Sequence, residues 1–248
     1  MSRTTVTFNG HDLTADYDVS DLRNSLLPRT LETIDVPGRG GALFTGVRMA
    51  QRTITLTLTA KGGTIAERQA AARALAGILA VKEPAPLAIS IDGGIYYMAV
   101  PISEDEGTRY SNALSFEVTF ECPDPVAYGA EKTLTVPTTG SLTFEVKGTH
   151  ATMPEVTCEV TPTAADQTWL LTLGDGTYLS YVVPYGTAGV TYTIKADCEG
   201  RVLTLDGATK LLVPDADWLV LEPGNHTLTL GGTVPKGAAT VKYRERWA

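Results

Sequence analysis

Nine consecutive residues, Arg52-Thr-Ile-Thr-Leu-Thr-Leu-Thr-Ala60, alternate without a break. Ile54, Leu56, Leu58 and Ala60 fall on one side and the threonines on the other. A period of two belongs to a strand with one dry face and one wet face, and threonine suits the wet one. Ala113-Leu-Ser-Phe-Glu-Val-Thr-Phe120 repeats the pattern through Leu114, Phe116, Val118 and Phe120. Leu87-Ala-Ile-Ser-Ile91 and Tyr96-Tyr-Met-Ala-Val100 flank Asp92-Gly-Gly94, which reads as a hairpin.

One segment departs from this rule. Residues 64–80 open with Thr64-Ile-Ala-Glu67, the Thr-x-x-Glu signature of a capped helix. Ala71, Ala72, Leu75, Ile78 and Leu79 follow helical spacing, which leaves Arg68 and Arg73 to reach solvent. Pro84 and Pro86 stop the helix soon after. Residues 1–127 therefore read as a β-sandwich domain with one helix.

At Glu121-Cys-Pro-Asp-Pro-Val-Ala-Tyr-Gly129 the strand pattern breaks. Pro123 and Pro125 each lack a donor and hold the chain extended, so Cys122, Pro123, Asp124 and Pro125 mark a rigid domain junction. Beyond it about nine short strand patterns recur, among them Val156–Val160, Trp169–Leu173 and Lys210–Val213. Gly174-Asp-Gly176, Asp206-Gly207 and Pro223-Gly-Asn225 supply turns between them. Residues 128–248 read as a second β-sandwich, and the chain as mainly β.

The 248 residues carry a net charge of −8, divided evenly at −4 between residues 1–129 and 130–248. Neither half has the clustered Lys and Arg that phosphate neutralisation needs, which argues against tight nucleic-acid binding. No apolar run is long enough to span a bilayer, so membrane insertion is not expected. The opening Met-Ser-Arg-Thr-Thr-Val-Thr-Phe lacks an apolar signal region, and synthesis in a cytoplasm is the expectation. Cys122, Cys158 and Cys198 are solitary and read as buried free thiols.

The chemical inventory is thin. His11, His150 and His226 lie far apart, and neither a nucleophile elbow nor a Walker loop is present. Glu104-Asp-Glu106 is the densest acidic cluster, but it reads as a solvated turn, its spacing matching no Ca²⁺ loop. Trp169, Tyr178, Tyr181, Tyr185, Tyr192, Trp218 and Trp247 could form a sugar platform. Most alternate with Leu or Val, which makes packing the simpler account. Catalytic residues, metal and cofactor are all read as none.

Thr33-Ile-Asp-Val-Pro-Gly-Arg-Gly-Gly-Ala-Leu-Phe-Thr-Gly46 combines four glycines and a proline with Ile34, Val36, Leu43 and Phe44. A plain solvent loop seldom exposes so much apolar surface.

Taken in order, these residues resemble the distal tail protein family of non-contractile-tailed, siphovirus-type bacteriophages. Val6-Thr-Phe-Asn-Gly-His-Asp-Leu13 is similar to that family's opening strand and turn, and Val36-Pro-Gly-Arg-Gly-Gly41 to its extended Gly-rich arm. The Arg52 strand, the Ala-rich helix and the Glu121–Pro125 junction follow in sequence. Leu221-Glu-Pro-Gly-Asn-His-Thr-Leu228 and Val241-Lys-Tyr-Arg-Glu-Arg-Trp247 resemble the closing strands.

The resemblance implies a virion protein of the tail tip, synthesised in the bacterial host, with a ring-forming domain over 1–127 and a galectin-like sandwich over 128–248. It implies a homo-hexameric ring, single or stacked, whose partners are the tail tube protein, the tape-measure protein and a tail-associated or receptor-binding protein. DNA would cross the lumen without tight binding. An arm over about 33–46, which includes Arg39, would bury Ile34, Val36, Leu43 and Phe44 against a neighbouring copy, the alternative being a flap over the chain's own sheet. Two other readings are a carbohydrate-binding attachment module and a tube subunit; an enzyme has the least support.

Overall fold

The computed structural model describes residues 4–24, 26–102, 113–186 and 189–248, with the backbone alone at 108–109. Two compact units emerge, Met1–Tyr128 together with Ala248, and Gly129–Trp247.

The first unit begins with β1 (Val6–Phe8) and β2 (His11–Asp12), joined through Asn9 and Gly10, both at positive φ. A four-residue helical turn, α1 (Leu13–Asp16), follows; its cap is Asp12, whose carboxylate accepts the Thr14 N–H. The expectation of a single helix is corrected here, because the apolar pattern of so short a turn is indistinguishable from that of a strand end. Next come β3 (Tyr17–Asn24), β4 (Arg29–Asp35), β5 (Ala42–Met49) and β6 (Arg52–Ala60). Helix α2 (Ile65–Leu79) has its capping box in place: Thr64 Oγ1 accepts the Glu67 N–H and Glu67 accepts that of Thr64. The strands β7 (Ala85–Ile89), β8 (Tyr96–Pro101), β9 (Thr108–Arg109) and β10 (Leu114–Cys122) complete the unit.

One layer runs β3–β6–β10 and the other β2–β1–β7–β8, with β8 also pairing β10 near Phe120. Phe8 meets Phe120 at 4.9 Å between ring centres, closing the core between the layers. The alternation of β6 is realised in full: Ile54, Leu56 and Leu58 are buried, and the threonines face outward beside Ser115, Glu117, Thr119 and Glu121 of β10. Helix α2 is anchored by Leu75 and by the Tyr17 hydroxyl, which donates to the Ala71 carbonyl at 2.6 Å. Arg68 does not reach solvent as expected. It is buried and donates to the Gly62 carbonyl at 3.0 Å, tying the helix to the loop before it.

The second unit holds most of β11 (Ala127–Val136), then β12 (Ser141–Val146), β13 (Glu155–Val160), β14 (Thr168–Leu173), β15 (Tyr178–Val182), β16 (Tyr192–Asp197), β17 (Val202–Leu205), β18 (Ala208–Lys210), β19 (Gly224–Gly232) and β20 (Lys236–Trp247). One sheet has the order β18–β17–β16–β13–β20–β11 and the other β12–β19–β14–β15. Their inner faces meet in a core that includes Val156, Trp169, Leu171, Ile194, Leu228 and Val241. The strand expected at Lys210–Val213 lies earlier, because Asp206-Gly207, both at positive φ, turns the chain straight from β17 into β18. Near the end, Glu245 is buried and accepts from the Lys132 ammonium and, at 2.9 Å, from the Lys147 N–H.

Candidate functional site

Strands β4 and β5 form a two-stranded sheet of their own. Their register runs from Arg29 opposite Met49 to Asp35 opposite Ala42, so the arm expected over 33–46 is a longer ribbon, 29–49. Its tip is a β-turn closed by the Arg39 N–H donating to the Val36 carbonyl at 3.1 Å. Pro37 takes the second place and Gly38, at φ +83°, the third, which is the type II pattern and requires glycine there. The Arg39 side chain stands exposed at that tip.

A bulge between Glu32 and Thr33 inserts Thr45 as an extra residue. Opposed residues point the same way, so Leu31 and Val47 share a side with Met49, while Thr30, Glu32 and Arg48 take the other. Strict alternation would put Phe44, three residues from Val47, on the opposite side. The bulge returns it to the side of Leu31, Val47 and Met49. Ile34 and Leu43 are paired on the reverse side. That side also holds the exposed Arg48–Glu32 ion pair at 3.3 Å, which contributes little to stability.

Every residue of the ribbon strands except Gly46 is exposed, including Leu31 at 62% and Phe44 at 61%. Val36, at the head of the turn, is exposed as well. A free two-stranded ribbon is marginal in water, and a contiguous apolar patch on it marks an interaction surface.

At the ribbon's base lies Arg52. Its Nε donates to the Pro125 carbonyl at 2.8 Å and one terminal nitrogen donates to Asn24 Oδ1 at 3.2 Å, while the guanidinium sits 5.0 Å from the centre of the Tyr97 ring. Cys122 is fully buried opposite Arg52, and burial pushes its thiol up to about 11. Pro123 is exposed and Pro125 buried. Asp124 Oδ1 accepts the Val126 N–H at 3.2 Å and Oδ2 accepts the Tyr128 hydroxyl. The sequence marks Arg52 all the same: it occupies a dry-face position of the alternation and must therefore find partners inside.

A half-open cavity of about 310 Å³ lies between α2 and β10 of the first unit, with Glu117 among its lining residues. Ala72, Ala76 and Leu79 form its helical wall, Phe116 and Val118 its sheet wall, and Pro101 one margin.

The remaining candidates do not converge. His11 is exposed on β2, and His226 Nε2 lies 2.5 Å from the Glu222 carbonyl. Trp169 is fully buried, and Tyr181, Tyr192 and Trp218 pack on the same core, so these aromatics do not form an outer platform. Glu104, Asp105 and Glu106 lie outside the described residues. Among the described residues, no group of three His, Cys, Asp or Glu is placed to hold a metal, and no helix is long and apolar enough to cross a membrane.

Known proteins share this arrangement. Residues 14–122 match a phage tail protein RIFT-related domain, and residues 147–247 match the C-terminal domain of a siphovirus-type tail component. The distal tail protein of Bacillus phage SPP1 is 26% identical over 98% of this chain and 95% of its own. The crystal structure of SPP1 Dit, described as a paradigm of hub adsorption apparatus in Gram-positive-infecting phages, superposes over the whole of both chains with a TM-score of 0.75 and 20% identity. A chain of the phage P2 baseplate in its activated conformation with Ca gives a TM-score of 0.51 at 12% identity over 98% of each chain. The mainly β architecture is thus shared.

Proposed function

The chain belongs to the distal tail protein family of siphovirus-type phages, and from that membership we propose that six copies close into a ring joining the tail tube to the host-recognition apparatus. It is a structural hub component of the phage tail, and its place is the virion. Synthesis occurs in the host cytoplasm. The first unit forms the ring wall and the second is a galectin-like domain, with the tail tube, tape-measure and receptor-binding proteins as neighbours. No catalytic step enters this role.

The ribbon carries the reading. Leu31, Phe44, Val47 and Met49 share one side of a projecting element and remain uncovered within their own chain. Burying them against a neighbour would contribute about 1.5–3 kcal/mol per side chain, gross. A contact between two different surfaces repeats by rotation and closes into a ring.

The outer face of β3, β6 and β10 suits the passage of DNA. Its pairing sets Thr53, Thr55, Thr57 and Thr59 beside Ser20, Ser115 and Thr119. Asp18, Glu117 and Glu121 supply its negative charge, against Arg23 alone among the paired positions. Carboxylates repel a polyanion and neutral hydroxyls displace no counterions, so the face lacks the cationic charge that tight binding needs. Electron microscopy of the purified chain tests the proposal: six-fold rings are expected, and monomeric particles at every concentration would contradict it.

A further inference from the structure

One carboxylate near Arg52 is poorly served by its surroundings. Asp92 Oδ2 is shielded from solvent and accepts no hydrogen bond among the described residues. An unpaired carboxylate oxygen in that position is destabilising, and it persists only where the surrounding structure fixes it. Asp92 ends a short 3₁₀ turn, Ser90–Asp92, between β7 and β8. Two bonds tie that turn to Thr5: the Ser90 N–H donates to the Thr5 carbonyl at 2.9 Å, and Ser90 Oγ accepts the Thr5 N–H at 2.8 Å. Gly93, at φ +72°, then reverses the chain.

The charge that acts on Asp92 is the Arg52 guanidinium. Arg52 is engaged elsewhere, by the Pro125 carbonyl, Asn24 Oδ1 and the Tyr97 ring. Asn24 ends the strand that leads into the ribbon, and Arg52 begins the strand that leaves it. The guanidinium thus clamps both roots of the ribbon. We propose that Asp92 is a proton-controlled rival for this clamp: ionised, it draws the Arg52 guanidinium away from Pro125 and Asn24, and protonated, it lets the clamp close.

The chemistry of the two seats favours competition. A carboxylate is a stronger acceptor for a guanidinium than a neutral carbonyl, an amide oxygen or a ring face. Movement toward Asp92 would satisfy Oδ2 but leave the Pro125 carbonyl without its donor. Neither arrangement satisfies every buried group, and two such competing states are what a switch requires. The other ionisable groups gathered at the guanidinium are Tyr97 on β8, Cys122 on β10 and Asp124 of the junction. The Cys122 thiol stays neutral up to about 11, and the Asp124 carboxylate is engaged by the Val126 N–H and the Tyr128 hydroxyl. Burial raises the Asp92 carboxyl by more than Arg52 lowers it. A carboxyl raised by folding holds its proton more tightly in the native state. The fold therefore gains stability as the pH falls through the raised value, and the gain is complete below the ordinary aspartate value.

The test is a pH titration of the full chain with isotope-labelled arginine, followed by nuclear magnetic resonance. The Arg52 Nε–H resonance, assigned by its loss in Arg52→Lys, should move in one step with a midpoint above the usual aspartate range. Its solvent exchange, measured against an exposed arginine, should slow as Asp92 takes its proton. In Asp92→Asn the step should be absent, and exchange at neutral pH should be slower than the parent's by about threefold or more. Urea should show a smaller unfolding constant for Asp92→Asn near neutrality, again by about threefold or more, with the gap closing in acid. A parent resonance that stays still throughout would overturn the proposal, whether or not the variant folds. A stability gap with unchanged Arg52 exchange would overturn it too, leaving Asp92 a buried charge without a hold on the clamp. So would an Asp92→Asn protein no more stable than its parent at neutral pH.

Discussion

Arg52 Nε donates to the Pro125 carbonyl across 2.8 Å of buried space. The donor begins the most regular strand of the chain, and the acceptor belongs to the proline-rich segment that ends the first unit's strand series. Strand pairing is interrupted over residues 123–126, so the buried Pro125 carbonyl takes a side-chain donor instead. Asn24 and the Tyr97 ring also contact the guanidinium.

Removing Arg52 leaves that carbonyl without its donor and opens space beneath Tyr97. Arg52→Ala should lower the unfolding free energy by about 2–4 kcal/mol, measured by urea denaturation of the full chain. Arg52→Lys should recover only part of the loss, because an ammonium cannot reproduce the planar fork. Equal stability of all three proteins would refute the clamp.

Phe44 and Leu31 are exposed in the single chain, so changing them should spare the fold. Phe44→Asp or Leu31→Asp should shift thermal unfolding by no more than about 0.5 kcal/mol equivalent. Either should raise the midpoint concentration of self-association by about tenfold or more. Analytical ultracentrifugation reads the second effect and calorimetry the first.

Much of this fold is legible in the sequence, and the gaps have physical causes. The two-residue period of 52–60 and the Thr64–Glu67 capping box report local forces, and both elements form where those forces put them. Strand β11 was harder to see, because the Pro123–Pro125 break reads as a boundary although pairing resumes at Ala127. The ribbon's true extent was hidden by its bulge. Leu31, Val47 and Met49 join Phe44 on one side only after Thr45 adds a residue, and periodicity cannot foresee that. The cavity is a tertiary product of α2 and β10, whose sequences are 35 or more positions apart.

Acid should unlock the closing strand. Burial raises the Glu245 carboxyl, but the Lys132 ammonium and the Lys147 N–H outweigh it and hold the pKa below the usual range. A depressed carboxylate stabilises the fold above its unfolded pKa and loses that contribution as pH falls through the folded value. Lys132, raised by its bond to Glu245, contributes below its own unfolded pKa and loses that as the solution becomes strongly alkaline. Glu245→Gln should therefore be less stable than the parent by about 1–2 kcal/mol near neutrality, a figure discounted for the half-open Lys132. The difference should start to shrink as the pH falls below the ordinary glutamate value of about 4.3 and vanish only once it has passed the lower folded value. A gap that persists at acid pH would show a packing effect instead.

Burial sets the thiol chemistry. It pushes Cys122 up to about 11 and Cys198 up to about 12, and raises Cys158 as well. All three are buried and free. Ellman's reagent at mildly alkaline pH should find essentially no reactive thiol in the native protein and three in guanidinium. Rapid native labelling would mean that one of the cores opens readily.

The central claim is that identical copies hold one another through the ribbon of residues 29–49. Native mass spectrometry across a concentration series, on the full chain and on a variant whose residues 30–48 are replaced by a short Gly-Ser turn, addresses it most directly. The account requires six-fold masses from the full chain and monomer from the variant. A six-fold mass from both, or monomer alone from the full chain at the highest concentration, would contradict it.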